Sequence, residues 1–355
     1  YPLSFFNDTA TTEIYTLSLH DALPIYTVTS SFVLAALFVC AVCAWYLLRG
    51  REQKMARKSI AVASVFGLVF ALITAFTGDR SGAIVARVQP MKLAALEALY
   101  DGEEGAALTA VGILRPEAER SNNEDAFYFK IAIPKMLSLM SFRDADAFVP
   151  GINDLLKGGY PLKDGTTALS AQEKIEKGKT AIGAFSAYRA AKAAGNDAEA
   201  QVAAKVLKEN VAYFGYGYIK DVNELVPNVP LTFYMFRVMV ILGGYFILFF
   251  IAVLVFAYKK DLSRMRWMHW VAMLTIPLGY LAGQAGWVVA ECGRQPWAIQ
   301  DMLPTSAAIS KLDVGSVQTT FFIFLVLFTV MLIAEVGIML KAIRKGPEKE
   351  LSHQS

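Results

Sequence analysis

Five apolar runs dominate the chain, at 27–48, 59–78, 231–257, 267–290 and 316–341. Each is near or above the roughly 20 residues that a helix needs to cross a bilayer. The second is broken only by Thr and Gly, which membrane helices tolerate. Between the second and third runs lie about 150 residues of mixed polarity, too long for a plain loop. That excursion carries helical patterns of its own. They are a short amphipathic piece MKLAALEALY (91–100), a longer one at 171–195 ending on Gly195, and a third at 198–214. The pattern predicts an all-α membrane protein with a helical lobe folded over one face.

Charge orients the spans. The connections RGREQKMARK (49–58) and YKKDLSRMR (258–266) and the tail KAIRKGPEK (341–349) are rich in Lys and Arg. By the positive-inside rule these three segments face the cytoplasm, which places 80–230 and 292–315 on the outer side. The predicted organisation is two spans within 26–79, an outer lobe at 80–230, three spans within 231–342 and a cytoplasmic tail at 343–355. Composition agrees: 55% of the residues are hydrophobic and only 18% charged, where a soluble domain carries about a quarter charged. A net charge of +3 without a basic stripe excludes a nucleic-acid partner. Cys40 and Cys43 are spaced C-x-x-C inside an apolar run with no second pair nearby, and read as small helix-packing residues.

The first 25 residues stand apart. They have neither helical nor strand period, and they lack the basic and apolar regions of a signal peptide. Asn7–Ile25 reads residue for residue as the translation of a common short-read sequencing adapter, so 1–25 is expected to be non-native. The adapter also leaves one base in the codon of residue 26. His, Asn, Asp or Tyr could equally be native there, and the genuine sequence resumes fully at Thr27.

Ionisable groups at membrane depth are costly and are functional candidates by default. Three clusters qualify. In FRVMV (236–240), Arg237 lies near the outer end of a span with Met239 two residues further in. A Met thioether can ligate haem iron and an Arg can pair with a propionate. The same residues also suit a packing Met beside a snorkelling Arg. In GWVVAECGRQPW (286–297), Trp287 and Glu291 share a helix face, and Arg294 follows as the helix ends. Glu291 needs a partner there, either Arg294 or a metal. On the short amphipathic piece, the Glu97 carboxylate could accept a proton from a quinol hydroxyl while Lys92 steadies the developing anion. Their spacing of five is poor for a helical ion pair, and solvated surface charges are the plainer reading.

Together these motifs resemble cytochrome bd-type quinol oxidase subunit I over 26–345. The resemblance rests on GWVVAECGRQPW with LPT (303–305), FRVMV and KLAALE (92–97). It is supported by GDRSG (78–82), AWYLLRGRE (44–52) and GYGYIKDVNELVPNVP (215–230). It implies that Met239 is an axial ligand of a low-spin haem b with Arg237 beside it. Glu291 would ligate a high-spin haem b, with Trp287 and Arg294 nearby, and Lys92 and Glu97 would form the quinol site of a periplasmic Q-loop. The second low-spin ligand in the family is a His opening a His-Thr-Val helix. Tyr26-Thr27-Val28 stands there, so Tyr26 is expected to replace that His. Of the remaining histidines, His269 in WMHW is expected to be interfacial, at the cytoplasmic end.

The resemblance further implies a nine-helix fold whose first four helices, which hold the haem d ligand, are missing, so that the chain as written should not reduce oxygen. The parent would be an inner-membrane oxidoreductase of the respiratory chain. It would oxidise quinol at the periplasmic face and reduce oxygen to water, with a second membrane subunit. Rival readings are a transporter with Glu291 and Arg237 lining its path, or a non-catalytic membrane scaffold. The transporter predicts inverted repeats, which the sequence does not show.

Overall fold

The computed structural model describes residues 10–116, 126–162, 165–259, 265–310 and 312–347, without the side chains of 10–25 and 259. Five long helices form the membrane part: α1 (Ala10–Leu48), α2 (Gln53–Val88), α8 (Val229–Lys259), α9 (Arg266–Cys292) and α10 (Val314–Lys345). All five are long and apolar enough to cross a membrane. The 27 residues of α9 rise about 40 Å, the depth of a bilayer with its headgroups.

α1, α2, α8 and α9 pack around one apolar core that includes Leu37, Cys40, Ile60, Phe250 and Val253. Lipid tails are as apolar as Leu, so association there depends on close contact between helices rather than on hydrophobic burial. Gly67 shows how close that contact is, since a Cβ added to it would fall 2.3 Å from the Phe250 ring and 2.8 Å from the Ala36 Cβ. Cys40 and Cys43 are buried in this core as free thiols, with Cys40 Sγ 3.5 Å from Ser64 Oγ, as the packing reading predicts. None of the described residues of α10 is buried. Its last turn is tied to the other helices by Tyr46 Oη, which donates to Ile343 O at 2.7 Å, and by Arg51, which donates to Arg344 O at 3.1 Å.

The lobe holds α3 (Pro90–Glu97), α4 (Met136–Phe142), α5 (Ile152–Lys157), α6 (Ala171–Ala193) and α7 (Asp197–Asn210). Two 3-10 segments follow, Val211–Tyr218 and Val222–Leu225. Local sequence sets several boundaries. Ser170 and Glu173 form a capping box that opens α6, and the Asn196 side chain caps α7. The helical class holds, and the lobe also contains short antiparallel pairs. These are β1 (Glu103–Glu104) with β4 (Phe148–Val149), and β2 (Leu108–Leu114) with β3 (Phe127–Ile133). A third pair, β5 (Trp297–Ile299) with β6 (Leu303–Pro304), follows α9.

Two helices extend beyond their apolar runs. α2 continues through GDRSG to Val88, ten residues beyond the apolar run. A helix needs no apolar face to propagate once formed, and Asp79 in this extension pairs with Arg143 just after α4. At the N-terminus, residues 1–9 of the segment read as non-native lie outside the described residues. From Ala10 the backbone is already helical, sixteen residues ahead of Tyr26, where the sequence showed no helical period. Propagation from the apolar part of α1 accounts for that extension. His269, expected at an interface, is enclosed in the first turns of α9 with 1% of its surface exposed.

Candidate functional site

The predicted residues gather where the lobe meets the ends of α1, α8 and α9. Position 26 opens the apolar part of α1, and Met239 lies ten residues into α8. Although 213 residues apart in sequence, the two meet, with Tyr26 Oη 3.6 Å from Met239 Sδ. On α9, a Cβ added to Gly286 would lie 3.1 Å from Met239 Sδ, so three helices converge on this thioether.

Arg237, two residues before Met239, turns toward the lobe. Its Nη2 donates to Glu97 Oε2 at 2.6 Å, and its Nη1 donates to Glu97 Oε1 at 3.3 Å and to Leu96 O at 2.7 Å. The two side chains are 8% and 4% exposed. The guanidinium also lies 4.3 Å from the Phe233 ring centroid. A planar guanidinium matches a carboxylate in this two-pronged manner, which Lys cannot copy. Burial raises the Glu97 carboxyl above its ordinary value, opposed by Arg237 and by the backbone of Thr109.

Lys92, at the other end of α3, reaches α9 instead. Its Nζ donates to Ala290 O at 3.4 Å, placing a cation at the negative end of the α9 dipole. A Cβ on Gly293 would lie 3.2 Å from Lys92 Cε, so the absence of a side chain there admits the lysine. Burial and the neighbouring Arg294 lower the Lys92 amine to about 8, with Glu291 opposing them. Arg294 Nη2 donates to Glu291 Oε2 at 2.6 Å, and both side chains are about two-fifths exposed, at 41% and 40%. Trp287 is 64% exposed.

Lys92 and Glu97 are therefore not partners of each other. Glu97 is paired with Arg237, and Lys92 joins Glu291 and Arg294. The surface reading of Glu97 is corrected by its burial, and Glu291 has Arg294 as an ion-pair partner. A further group beside them has no signature in the sequence. Tyr216 Oη donates to Asp301 Oδ1 at 2.8 Å, and Gln300 Nε2 donates to the same oxygen at 3.0 Å. Burial pushes the Tyr216 phenol well up and raises the Asp301 carboxyl. The aromatic run around Tyr216 stands out in the sequence only as part of the longer 215–230 motif.

Iron-binding chemistry can be tested against these residues. Met239 offers a soft thioether and fits one side of a low-spin haem. The Tyr26 phenol is a hard oxygen donor and does not complete a Met/His pair, whereas an imidazole at that position would. Glu291 offers a carboxylate oxygen, steadied by Arg294.

A profile of the family described as cytochrome bd terminal oxidase subunit I matches residues 5–347. The chain is 34% identical over 331 residues to the cytochrome bd-II ubiquinol oxidase subunit 1 of Escherichia coli (strain K12), covering 93% of this chain and 63% of that one. It is 25% identical over 320 residues to the cytochrome bd ubiquinol oxidase subunit 1 of Bacillus subtilis (strain 168), covering 90% and 55%. Its fold is similar to that of the bd oxidase from Geobacillus thermodenitrificans, with a TM-score of 0.62 at 21% identity, covering 91% and 57%. The chain thus spans 55–63% of the length of these two curated relatives.

Proposed function

The chain belongs to the cytochrome bd terminal oxidase subunit I family, and from that membership we propose that it oxidises quinol at the lobe end of its helices and passes electrons to b-type haems. Membership in an oxidoreductase family sets aside the transporter and scaffold readings. The observation that carries the proposal is the meeting of position 26 with Met239, 3.6 Å apart between α1 and α8. Bound between those helices, a haem would supply one-electron transfer. Met239 would hold one face of its iron and position 26 the other, with Glu291 as the ligand to a second haem. As the sequence stands, Tyr26 leaves the first pair incomplete.

At the quinol side, the roles of the two α3 residues separate. Glu97 accepts from Arg237 through both oxygens, so protonation would weaken that two-pronged contact. It anchors α3 and orients Arg237. The Lys92 amine, lowered to about 8, exchanges a proton close to neutral pH, which suits a group facing a quinol hydroxyl. In this reading the basic connections face the cytoplasm and the lobe faces the periplasm. A second membrane subunit and an oxygen-reducing haem d complete the enzyme. We place the haem d ligands in the part of the relatives' length that has no counterpart here, and residues 1–25 remain, in this proposal, foreign to the protein.

The test is a reduced-minus-oxidised visible spectrum of membranes containing the subunit with residues 1–25 removed and a relative's preceding helices joined to Thr27 through either His or Tyr at 26. A low-spin b band with His that fails with Tyr is the expected result. Folded protein with no haem band in either form would end the oxidase reading.

A further inference from the structure

Lys92 and Arg294 line a narrow crevice of about 10 Å³, whose other walls include Gln89, Met91, Trp297 and Gln300. Trp297 and Gln300 belong to the β5–β6 hairpin and are not held by the membrane helices alone. Behind them stands the Val211–Tyr218 segment of the lobe. The Tyr216 ring meets the Trp297 ring at 4.9 Å, edge to face, while its hydroxyl donates to Asp301 Oδ1 at 2.8 Å. Gln300 is bound to the same carboxylate oxygen at 3.0 Å. One tyrosine therefore supports both outer residues of the cleft wall, one by its ring and the other through Asp301.

The backbone reinforces the contact. Gly215 N donates to Asp301 O at 3.0 Å, and a Cβ on Gly215 would fall 2.4 Å from that oxygen. Asp301 itself holds φ at +59°, a left-handed conformation disfavoured for a non-glycine residue. Such a conformation persists where its surroundings over-determine it. Lys174 on α6 adds a cation 5.8 Å from the Tyr216 ring. Trp297 is 5% exposed and packs with Ile175, Ile219 and Leu225, so the lobe and the hairpin share one small core.

We propose that Tyr216 and Asp301 are positioning residues that fix the Trp297–Gln300 wall of the Lys92 cleft, so that the lobe sets the aperture through which quinol reaches Lys92. The quinol part of this statement rests on the function proposed above. The link from lobe to wall does not.

Two readouts separate them. The first is acetylation of Lys92 by acetic anhydride in the full chain in membranes, scored by mass spectrometry against exposed Lys179. Tyr216→Phe keeps the ring and removes one hydrogen bond to a carboxylate, and Asp301→Leu removes the acceptor. Both should speed acetylation of Lys92 about tenfold, the scale of one such bond. Asp301→Asn keeps an acceptor oxygen and should stay near the parent rate, which also guards against simple misfolding. The second readout is quinol turnover by the assembled oxidase. There Tyr216→Phe should raise KM for quinol with little change in kcat. If the parent oxidase turns over no quinol, the functional reading falls while the Lys92 rates still decide the positioning claim. Lys92 rates in Tyr216→Phe and Asp301→Leu within about twofold of the parent would overturn it, since one lost bond should exceed that.

Discussion

Breaking the Arg237–Glu97 pair gives the most demanding test of the site. Both side chains are nearly sealed, at 8% and 4% exposure, and three donor contacts from one guanidinium end on Glu97 and its neighbour's carbonyl. Removing one partner of such a pair costs about 3–5 kcal/mol, because the other charge is left buried. The two single variants should differ. In Glu97→Gln the guanidinium stays charged at any accessible pH, so the full cost of about 3–5 kcal/mol applies. In Arg237→Met the orphaned Glu97 can take a proton, since burial already raises its carboxyl. That variant should lose less at low pH and progressively more as pH rises from the ordinary carboxylate range through the elevated carboxyl value. The double variant, with neither charge, should be more stable than Glu97→Gln alone. The assay is denaturant unfolding in one fixed detergent, followed by tryptophan fluorescence, as a double-mutant cycle. A cost of 3 kcal/mol is roughly a hundredfold in the unfolding constant. Single-variant losses below about 0.5 kcal/mol that simply add would refute the buried pair.

Two further perturbations follow from other parts of the fold. Lys92 lies at about 8 against its ordinary 10.5, worth roughly 3 kcal/mol. The unfolded chain binds more protons between those values, so stability should rise as pH climbs from about 8 to 10.5; Lys92→Met should abolish that rise and stabilise the protein below pH 8, as measured by melting temperature against pH. Gly67→Ala should cost about 1–3 kcal/mol by overpacking against Phe250 and Ala36. Gly82→Ala, in an open part of α2 with nothing within 4 Å of the added atom, should instead gain up to about 1 kcal/mol; equal melting temperatures for the two would contradict the close α1–α2–α8 contact.

What the sequence revealed follows the range of the forces involved. The spans were legible because twenty apolar residues have only one economical place to go, and the basic connections agreed with one another. Met239 and position 26 were legible through local motifs, although their contact spans 213 residues of sequence. Less legible was the end of α2, because the apolar pattern stops at Gly78 while the backbone hydrogen bonds run on to Val88. The β2–β3 ladder was not legible because the sequence between its strands, 115–126, is a polar stretch with no hairpin signal. Asp301 and Tyr216 were invisible for a different reason. A buried Tyr–Asp bond across 85 residues leaves no periodic trace in either segment.

The exchange of partners at α3 shows how spacing decides chemistry here. Residues five apart on a helix are separated by about 140° around its axis, since each residue turns about 100°. Lys92 and Glu97 therefore cannot meet on one face, and an eight-residue helix lying across two others can present one to each. Glu97 binds α8 through Arg237, and Lys92 binds the end of α9 through Ala290. Pro90 at the first turn and the left-handed Ala98 at the end, with φ +49°, confine α3 to that length. The helix then acts as a rigid strut whose two ends share one position. A change at Glu97 that lets α3 slide must also move Lys92 relative to Arg294 and Glu291. In the Glu97→Gln variant the Lys92 amine should therefore titrate closer to its ordinary 10.5 than to 8, although neither Glu97 nor Arg237 is among the groups that shift it.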